Sequence, residues 1–207
     1  MQDTWQITSQ LKLNYGFKSL IVDNRARQIG ANILGVKGPD GYPSGSIQAA
    51  NGFLPQLGAN YRINAHNEIF ADFARNMAAF DNSQTGATSP FATTIAGYNA
   101  IKGSLKPEMS YTEELGYRYH DRKIQASLTG YYVEFENRLL TITQGTGIQG
   151  NASALANVGG VTARGIDAAF NYNFAPHWSL YASYAFNDSR YNDNVVSGAT
   201  VYNIKGK

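Results

Sequence analysis

Apolar and polar residues alternate with a period of two along most of this chain. Successive side chains of a β-strand point to opposite faces, so this period predicts strands with one apolar and one polar face. We expect about seven good strands, with partial strands at each end. The alternation is clearest over residues 11–18, 166–174 and 178–187, and softer over residues 53–63, 68–80, 111–120 and 123–137.

The connections between these segments alternate strictly between short and long. Short turns are centred near residues 9, 65, 121 and 176, and long segments rich in Gly, Ser, Asn and Thr occupy about residues 26–52, 81–106 and 145–156. Consecutive antiparallel strands place every second connection on the same side of a sheet. Outer-membrane barrels have short periplasmic turns and longer external loops. The sequence therefore predicts an all-β, antiparallel up-and-down transmembrane barrel segment.

The apolar face of each strand has a limited height. In three strands the first charged residue on that face comes ten residues from the short turn: Ile124 to Glu134, Phe174 back to Arg164, and Trp178 to Asp188. Ten residues rising about 3.3 Å each and tilted roughly 40° span about 25 Å, the height of a lipid-facing band. Aromatic residues near the turn ends predict an interfacial girdle: Trp5, Tyr61, Tyr117, Tyr119, Tyr172, Phe174 and Trp178.

Composition narrows the class further. The chain has 207 residues, of which 43% are hydrophobic, 13% aromatic and 15% charged, and its net charge is +2. The fraction of charged residues is low for a soluble domain. The sequence contains no basic cluster of the kind that binds nucleic acid. The absence of Cys excludes disulfides and thiol chemistry. No export signal begins the chain, and no apolar run reaches the roughly 18 residues of a membrane helix, so a membrane location would require strands.

A soluble antiparallel sheet with one wet face would show the same alternation. Its polar face should then be rich in Lys and Glu, whereas this one is rich in Ser, Asn, Gly and Tyr. The composition of the polar face therefore favours a membrane barrel.

Several motifs carry a family resemblance. Residues 105–110 (LKPEMS) precede residues 114–119 (ELGYRY), and residues 131–139 (YYVEFENRL) follow. Residues 157–161 (NVGGV) then lead to residues 164–167 (RGID). These stretches resemble the TonB-dependent receptor family, with Asp167 where Glu is more usual. The resemblance covers the whole chain and is most specific from about residue 105 to residue 191.

The resemblance implies an outer-membrane channel of about 22 strands, filled by a plug domain. It also implies active uptake of a scarce extracellular small molecule, such as an iron–siderophore complex, with energy delivered through TonB. We therefore expect residues 1–207 to be a partial barrel domain of about seven to nine strands, in the bacterial outer membrane. The plug and the remaining strands would lie outside this sequence. Expected partners are outer-membrane lipid, the plug, the TonB system and the ligand; neither nucleic acid, cofactor nor catalysis is expected.

Two groups of residues are candidates for function. Charged residues on the inferred lumen face could contact the plug or line the ligand path, although simple solvation of a wet interior would also explain them: Lys12, Arg62, Glu68, Asp72, Glu114, Arg118 and Asp167. Loop residues often bind ligands, so Tyr42, Tyr98 and Tyr191 are predicted to contact an external ligand.

Other motifs point to weaker alternatives. Residues 145–150 match G-x-G-x-x-G, but no helix and parallel strand follow as a dinucleotide site requires. His66, His120 and His177 lie in different short turns, which we expect to be too far apart for a shared metal ion. No Ser/His/acid triad is expected, because these His residues lie in turns on the wrong side of the barrel for one.

A different function would follow from a small, self-contained barrel. About eight strands can close into an outer-membrane barrel with a structural, adhesive or porin-like role. Such a barrel fills its lumen with side chains. The polar face here is rich in Gly, Ala and Ser, which would pack a narrow lumen poorly and favours a wider barrel.

Overall fold

A computed structural model describes residues 2–27, 43–83, 88–143, 153–197 and 200–207 of the chain. These residues form strands almost throughout. In chain order the elements are β1 (Gln2–Gln6), β2 (Leu11–Ala26), β3 (Gly45–Arg62), β4 (Asn67–Ala78), α1 (Ile95–Ile101), β5 (Glu108–His120), β6 (Ile124–Glu136), β7 (Leu139–Thr143), β8 (Ser153–Asn157), β9 (Val161–Ala175), β10 (Trp178–Tyr191), β11 (Val195–Ser197) and β12 (Thr200–Tyr202).

Eight of the strands form one antiparallel sheet. Their order is β1-β2-β3-β4-β5-β6-β9-β10, so neighbours in the sheet are neighbours in sequence except where the hairpin β7–β8 interrupts. Seven of these strands are long and β1 is short, and β11 pairs with β12 in a small separate hairpin. This up-and-down order confirms the predicted fold class.

Strand register fixes which residues share a face. Leu115 lies opposite Gly130, Gly130 opposite Ile166, and Ile166 opposite Phe186, so these residues form one row across four strands. We call the side of the sheet that carries this row the outward face. Leu115 is 63% exposed and Ile166 is 47% exposed. Large apolar side chains left uncovered over a whole face are expected where lipid, not water, surrounds the protein.

A charged row crosses the outward face on the side away from the short turns. Glu113 lies opposite Tyr132, Tyr132 opposite Arg164, and Arg164 opposite Asp188. Arg164 Nη2 contacts Asp188 Oδ2 at 3.2 Å. Two of the apolar stripes thus end at the same level, as the ten-residue spacing predicts.

The short turn between β5 and β6 is built around Asp121. Its Oδ1 accepts hydrogen bonds from the backbone N–H groups of Ile124 at 2.6 Å and Lys123 at 2.7 Å. Its Oδ2 accepts one from the Tyr119 hydroxyl at 2.8 Å. These hydrogen bonds lower the pKa of Asp121. The bond from the Ile124 N–H has the largest effect, followed by those from the Lys123 N–H and the Tyr119 hydroxyl. The carboxylate therefore stabilises the turn in its charged form.

We expect acid to loosen this turn. Because the pKa is lower in the folded state, the stabilisation is complete above the unfolded pKa of about 4 and is lost as pH falls through the folded pKa. Hydrogen exchange at the amides of Lys123 and Ile124, corrected for intrinsic rates, should become faster on going from about pH 5 to pH 2. Asp121→Ala should lose protection at both amides and show no acid step.

The turn between β3 and β4 provides a control for this measurement. Asn64 Oδ1 accepts from the N–H groups of His66 at 2.9 Å and Asn67 at 3.0 Å, so the geometry is similar but the side chain does not titrate. Protection at these two amides should stay constant over the same range. An equal acid step in both turns would contradict the role of Asp121.

The long connections contain more regular structure than the sequence indicates. Strand β3 begins at Gly45, inside the segment expected to be a loop over residues 26–52, and residues 28–42 lie outside the described part of the chain. β8 occupies part of the third expected loop and pairs with β7. The boundaries were misplaced because residues 45–52 and the five-residue strands β7 and β8 do not alternate strictly between apolar and polar residues.

Helix α1 lies in the second long connection and belongs to a small apolar core. Thr94 caps the helix by accepting a hydrogen bond from the Gly97 N–H at 3.1 Å. The buried members of this core are Ile47, Ala49, Phe80, Phe91, Tyr98, Leu139 and Leu155.

An ion pair connects β5 to the β7–β8 hairpin, because Glu108 contacts Arg138 at 2.6 Å, just before β7 begins. Within the described residues, no helix is both long and apolar enough to cross a membrane.

Candidate functional site

The charged residues singled out in the sequence share the face opposite the outward one, which we call the inward face. Arg62, Glu68 and Arg118 are lateral neighbours in one row, and Asp72 lies directly opposite Glu114. Lys12 and Asp167 share another row, in which they are five strand spacings, roughly 24 Å, apart. The seven residues therefore form a dispersed polar wall with two local clusters.

The first cluster is centred on Arg118. Its Nη1 pairs with Glu68 Oε1 at 3.1 Å, and its guanidinium lies 3.8 Å from the centroid of the Phe70 ring. Phe70 is only 4% exposed, and the end of its ring lies against Gly116 on the neighbouring strand. A cation over an aromatic ring is held in a fixed direction. Neither Phe70 nor Gly116 was predicted as a site residue, although an aromatic residue on the polar face could have indicated one.

The second cluster is the pair Asp72 and Glu114. No Lys or Arg forms an ion pair with either carboxylate among the residues that the structure describes. Like charges directly opposite each other on a sheet destabilise it. Two such carboxylates on an exposed polar face can bind a cationic group of another molecule or domain.

A pocket of 370 Å³ adjoins the first cluster toward the short turns. Its lining includes Arg118, Ser127, Ala169, Asn171 and Tyr181. Its side chains offer both hydrogen-bond donors and acceptors. Of these residues, only Arg118 was predicted from the sequence as a candidate functional residue.

The three tyrosines predicted to contact an external ligand differ in their positions. Tyr42 lies outside the described residues. Tyr98 is 2% exposed, its hydroxyl donates to the Ser46 carbonyl at 2.9 Å, and burial raises its pKa. Its ring stacks on Phe91 with centroids 5.2 Å apart. Tyr98 therefore packs inside the loop core instead of facing an external ligand. Tyr191 is half-buried at the end of β10, opposite Val161.

The short turns are closer together than expected. His66 Nδ1 lies 2.9 Å from the His120 carbonyl oxygen, and the two rings are 6.4 Å apart. Because a carbonyl only accepts, Nδ1 carries the proton. The turns that carry His66 and His120 are therefore adjacent, which was not expected from the sequence. The described residues nevertheless contain no group of three or more His, Cys, Asp or Glu able to hold a metal ion.

The family model described as "TonB dependent receptor-like, beta-barrel" matches residues 1–205. No curated protein matches the sequence.

Solved structures resemble almost the whole chain. The copper transporter OprC superposes with a TM-score of 0.65 at 17% identity, over 94% of this chain and 29% of its own. The siderophore receptor PirA from Pseudomonas aeruginosa superposes with a TM-score of 0.62 at 12% identity, over 93% of this chain and 31% of the PirA chain. The ferric yersiniabactin uptake receptor FyuA from Yersinia pestis superposes with a TM-score of 0.60 at 18% identity, over 93% of this chain and 26% of the FyuA chain. The present chain thus spans under a third of each, and at these identities the likeness concerns the fold alone.

Proposed function

This chain belongs to the TonB-dependent receptor β-barrel family, and from that premise we propose that it is part of the wall of an outer-membrane receptor for active uptake. The cargo would be a scarce extracellular ligand such as an iron–siderophore complex. The chain would act without catalysis, as part of the barrel domain. The plug, the remaining strands and the TonB-contacting segment would belong to the rest of the receptor.

The contrast between the two faces supports this proposal. The outward face is apolar up to the row of Glu113, Arg164 and Asp188, whereas the inward face carries charge at mid-height. Asp72 and Glu114 are unpaired there among the described residues. Unpaired carboxylates are tolerated where water is present, so the wall suits a wide aqueous lumen.

The two inward clusters would have different roles in transport. Asp72 and Glu114 would attract a basic side chain of the plug or a cationic part of the ligand, because two adjacent carboxylates create a local negative potential. Arg118, held by Glu68 and Phe70, would present a fixed positive charge to an anionic group. Such opposite charges would guide a polar ligand or plug segment along the wall.

Uptake measurements on the acidic pair test the proposal. The double variant Asp72→Asn, Glu114→Gln should lower the uptake rate about tenfold, the effect of losing roughly one hydrogen bond to a charged group. Surface binding of the ligand should change little. Uptake of radioactive iron would be measured from ferric citrate and from ferric hydroxamate and catecholate chelates, in cells where this receptor is the sole route, with and without TonB.

Glu113→Gln supplies the matched control, because Glu113 adjoins Glu114 in sequence but lies on the outward face. It should leave uptake unchanged. Uptake that needs no TonB would favour a porin-like role instead. Failure of every chelate to enter through the unmodified receptor would reject iron chelates as the cargo.

A further inference from the structure

Strands β2 and β3 extend beyond the rest of the sheet, and this extension is covered on one face only. The pairing of β3 with β4 ends at Gln56, whereas its pairing with β2 continues to the first residue of β3. Asn24 lies opposite Ile47 on the extension, and both are buried. Alternation along β2 from Lys12 places Asn24 on the inward face. On the outward face Ile21 is exposed. The extension is therefore covered on its inward face.

The covering segment comprises residues 88–105, which we call the shelf. Its side chains Phe91 and Tyr98 belong to one buried core with Ile47 of β3 and Leu155 of β8. Helix α1 in the shelf also contacts β8 directly. In the order of the sheet, β4 and β5 lie between β3 and the β7–β8 hairpin. The shelf therefore connects β3 to that hairpin on the inward side, at the end of the sheet that carries the long connections.

Hydrogen bonds hold both sides of the shelf. On one side the Tyr98 hydroxyl donates to the Ser46 carbonyl of β3 at 2.9 Å. On the other side, just past the shelf, the Lys106 N–H donates to Asn157 Oδ1 at 2.8 Å, and Asn157 Nδ2 donates to the Lys106 carbonyl at 2.9 Å. Segments with buried apolar contacts and protected hydrogen bonds open rarely. We therefore expect the shelf to keep its position on the inward face.

We propose that the shelf is a fixed size filter at the external entrance of the lumen, positioned by Tyr98. It determines specificity by shape, because a segment that does not move excludes solutes too bulky to pass beside it. Smaller ligands reach Asp72 and Glu114 on the wall below. This inference rests on the proposed function, since it takes the lumen as the path of the ligand.

The reaction of thiol reagents with a single Cys below the shelf tests the filter. The chain contains no Cys. Thr112→Cys, on the inward face two residues from Glu114, would be the probe in a full receptor otherwise free of Cys, and Gln56→Cys in the same row would be a second probe. Intact cells would receive a small maleimide or one carrying a long polyethylene glycol chain. After correction for rates on denatured receptor, the small reagent should react at least about 100-fold faster, because the bulky one must wait for the shelf to open.

Three variants of the shelf identify the cause of the exclusion. Tyr98→Ala should bring the two corrected rates within about threefold, because the shelf loses a buried ring and its bond to Ser46. Tyr98→Phe loses only the bond and should speed the bulky reagent about fivefold. Asn99→Ala changes the next residue of the same helix, which is exposed, and should leave both rates unchanged.

Two results would overturn the filter: free reaction of the bulky reagent in the unmodified receptor, or its unchanged exclusion in both Tyr98 variants. If Tyr98→Ala does not fold, as judged by heat-dependent gel mobility, the Tyr98→Phe result decides alone. Labelling does not require transport. Failure of iron uptake would therefore leave the filter standing, and failure of the filter would leave the uptake proposal standing.

Discussion

Replacing Ala168 with arginine should destabilise the membrane-inserted protein by about 2–4 kcal/mol, the cost of a cationic side chain at the middle of a lipid-facing barrel surface. Ala168 lies opposite Leu128 and Tyr184, both on the outward face. It is also six residues from Phe174 and four from Arg164, near the centre of the apolar stripe. The free energy of unfolding would be measured by denaturant titration in lipid vesicles.

The next residue provides a matched comparison. Ala169→Arg makes the same substitution in the same strand, but Ala169 lies opposite Ser127 and Ser183 on the inward face. A charge in a wet lumen costs little, so this variant should lose less than about 1 kcal/mol. Equal losses in both variants, or a larger loss at Ala169, would mean that the outward face is not the lipid-facing one.

A substitution at the contact between Gly116 and Phe70 should give the second large loss of stability. A Cβ at Gly116 would lie 2.2 Å from the Phe70 ring, which is itself held under the Arg118 guanidinium. The ring cannot shift without releasing that cation. Gly116→Ala should therefore destabilise the protein by about 1–3 kcal/mol, the usual cost of overpacking. The same denaturant titration would measure it.

A rescue and a control make this result specific. Phe70→Leu removes the ring, so adding Gly116→Ala in that background should cost much less than in the unmodified protein. Gly130→Ala also introduces a methyl group into a strand, but into open space, and should be nearly neutral. An equal cost for Gly116→Ala with and without the Phe70 ring would refute the clash as its cause.

Much of the fold follows from local sequence. The period of two identifies the strands, and it assigns residues such as Leu115 and Glu114 to opposite faces because neighbouring side chains alternate. Short turns and long loops follow from clusters of Gly, Asn and Ser. Strand ends are harder to predict: the start of β3 at Gly45 and the β7–β8 hairpin were missed because residues 45–52 and the two five-residue strands of the hairpin do not alternate strictly.

The candidate site was only half accessible from sequence. That Asp72, Glu114 and Arg118 share one face was predictable, and the register places all three on the face opposite the apolar one. The burial of Tyr98 was not, because loop packing depends on contacts between segments distant in sequence, such as the bond from its hydroxyl to Ser46. A tyrosine in a polar loop gives no local sign of the core it joins.

The sequence by itself determined the strands, their two faces and the side of each connection, because these depend on alternation within single strands. Only the tertiary structure decided which residues lie side by side: Asp72 with Glu114, Phe70 with Gly116, and His66 with His120. A strand can keep its face while sliding two residues along its neighbour. Lateral register is therefore fixed by turn geometry and by packing across the sheet, and neither is written in one strand alone.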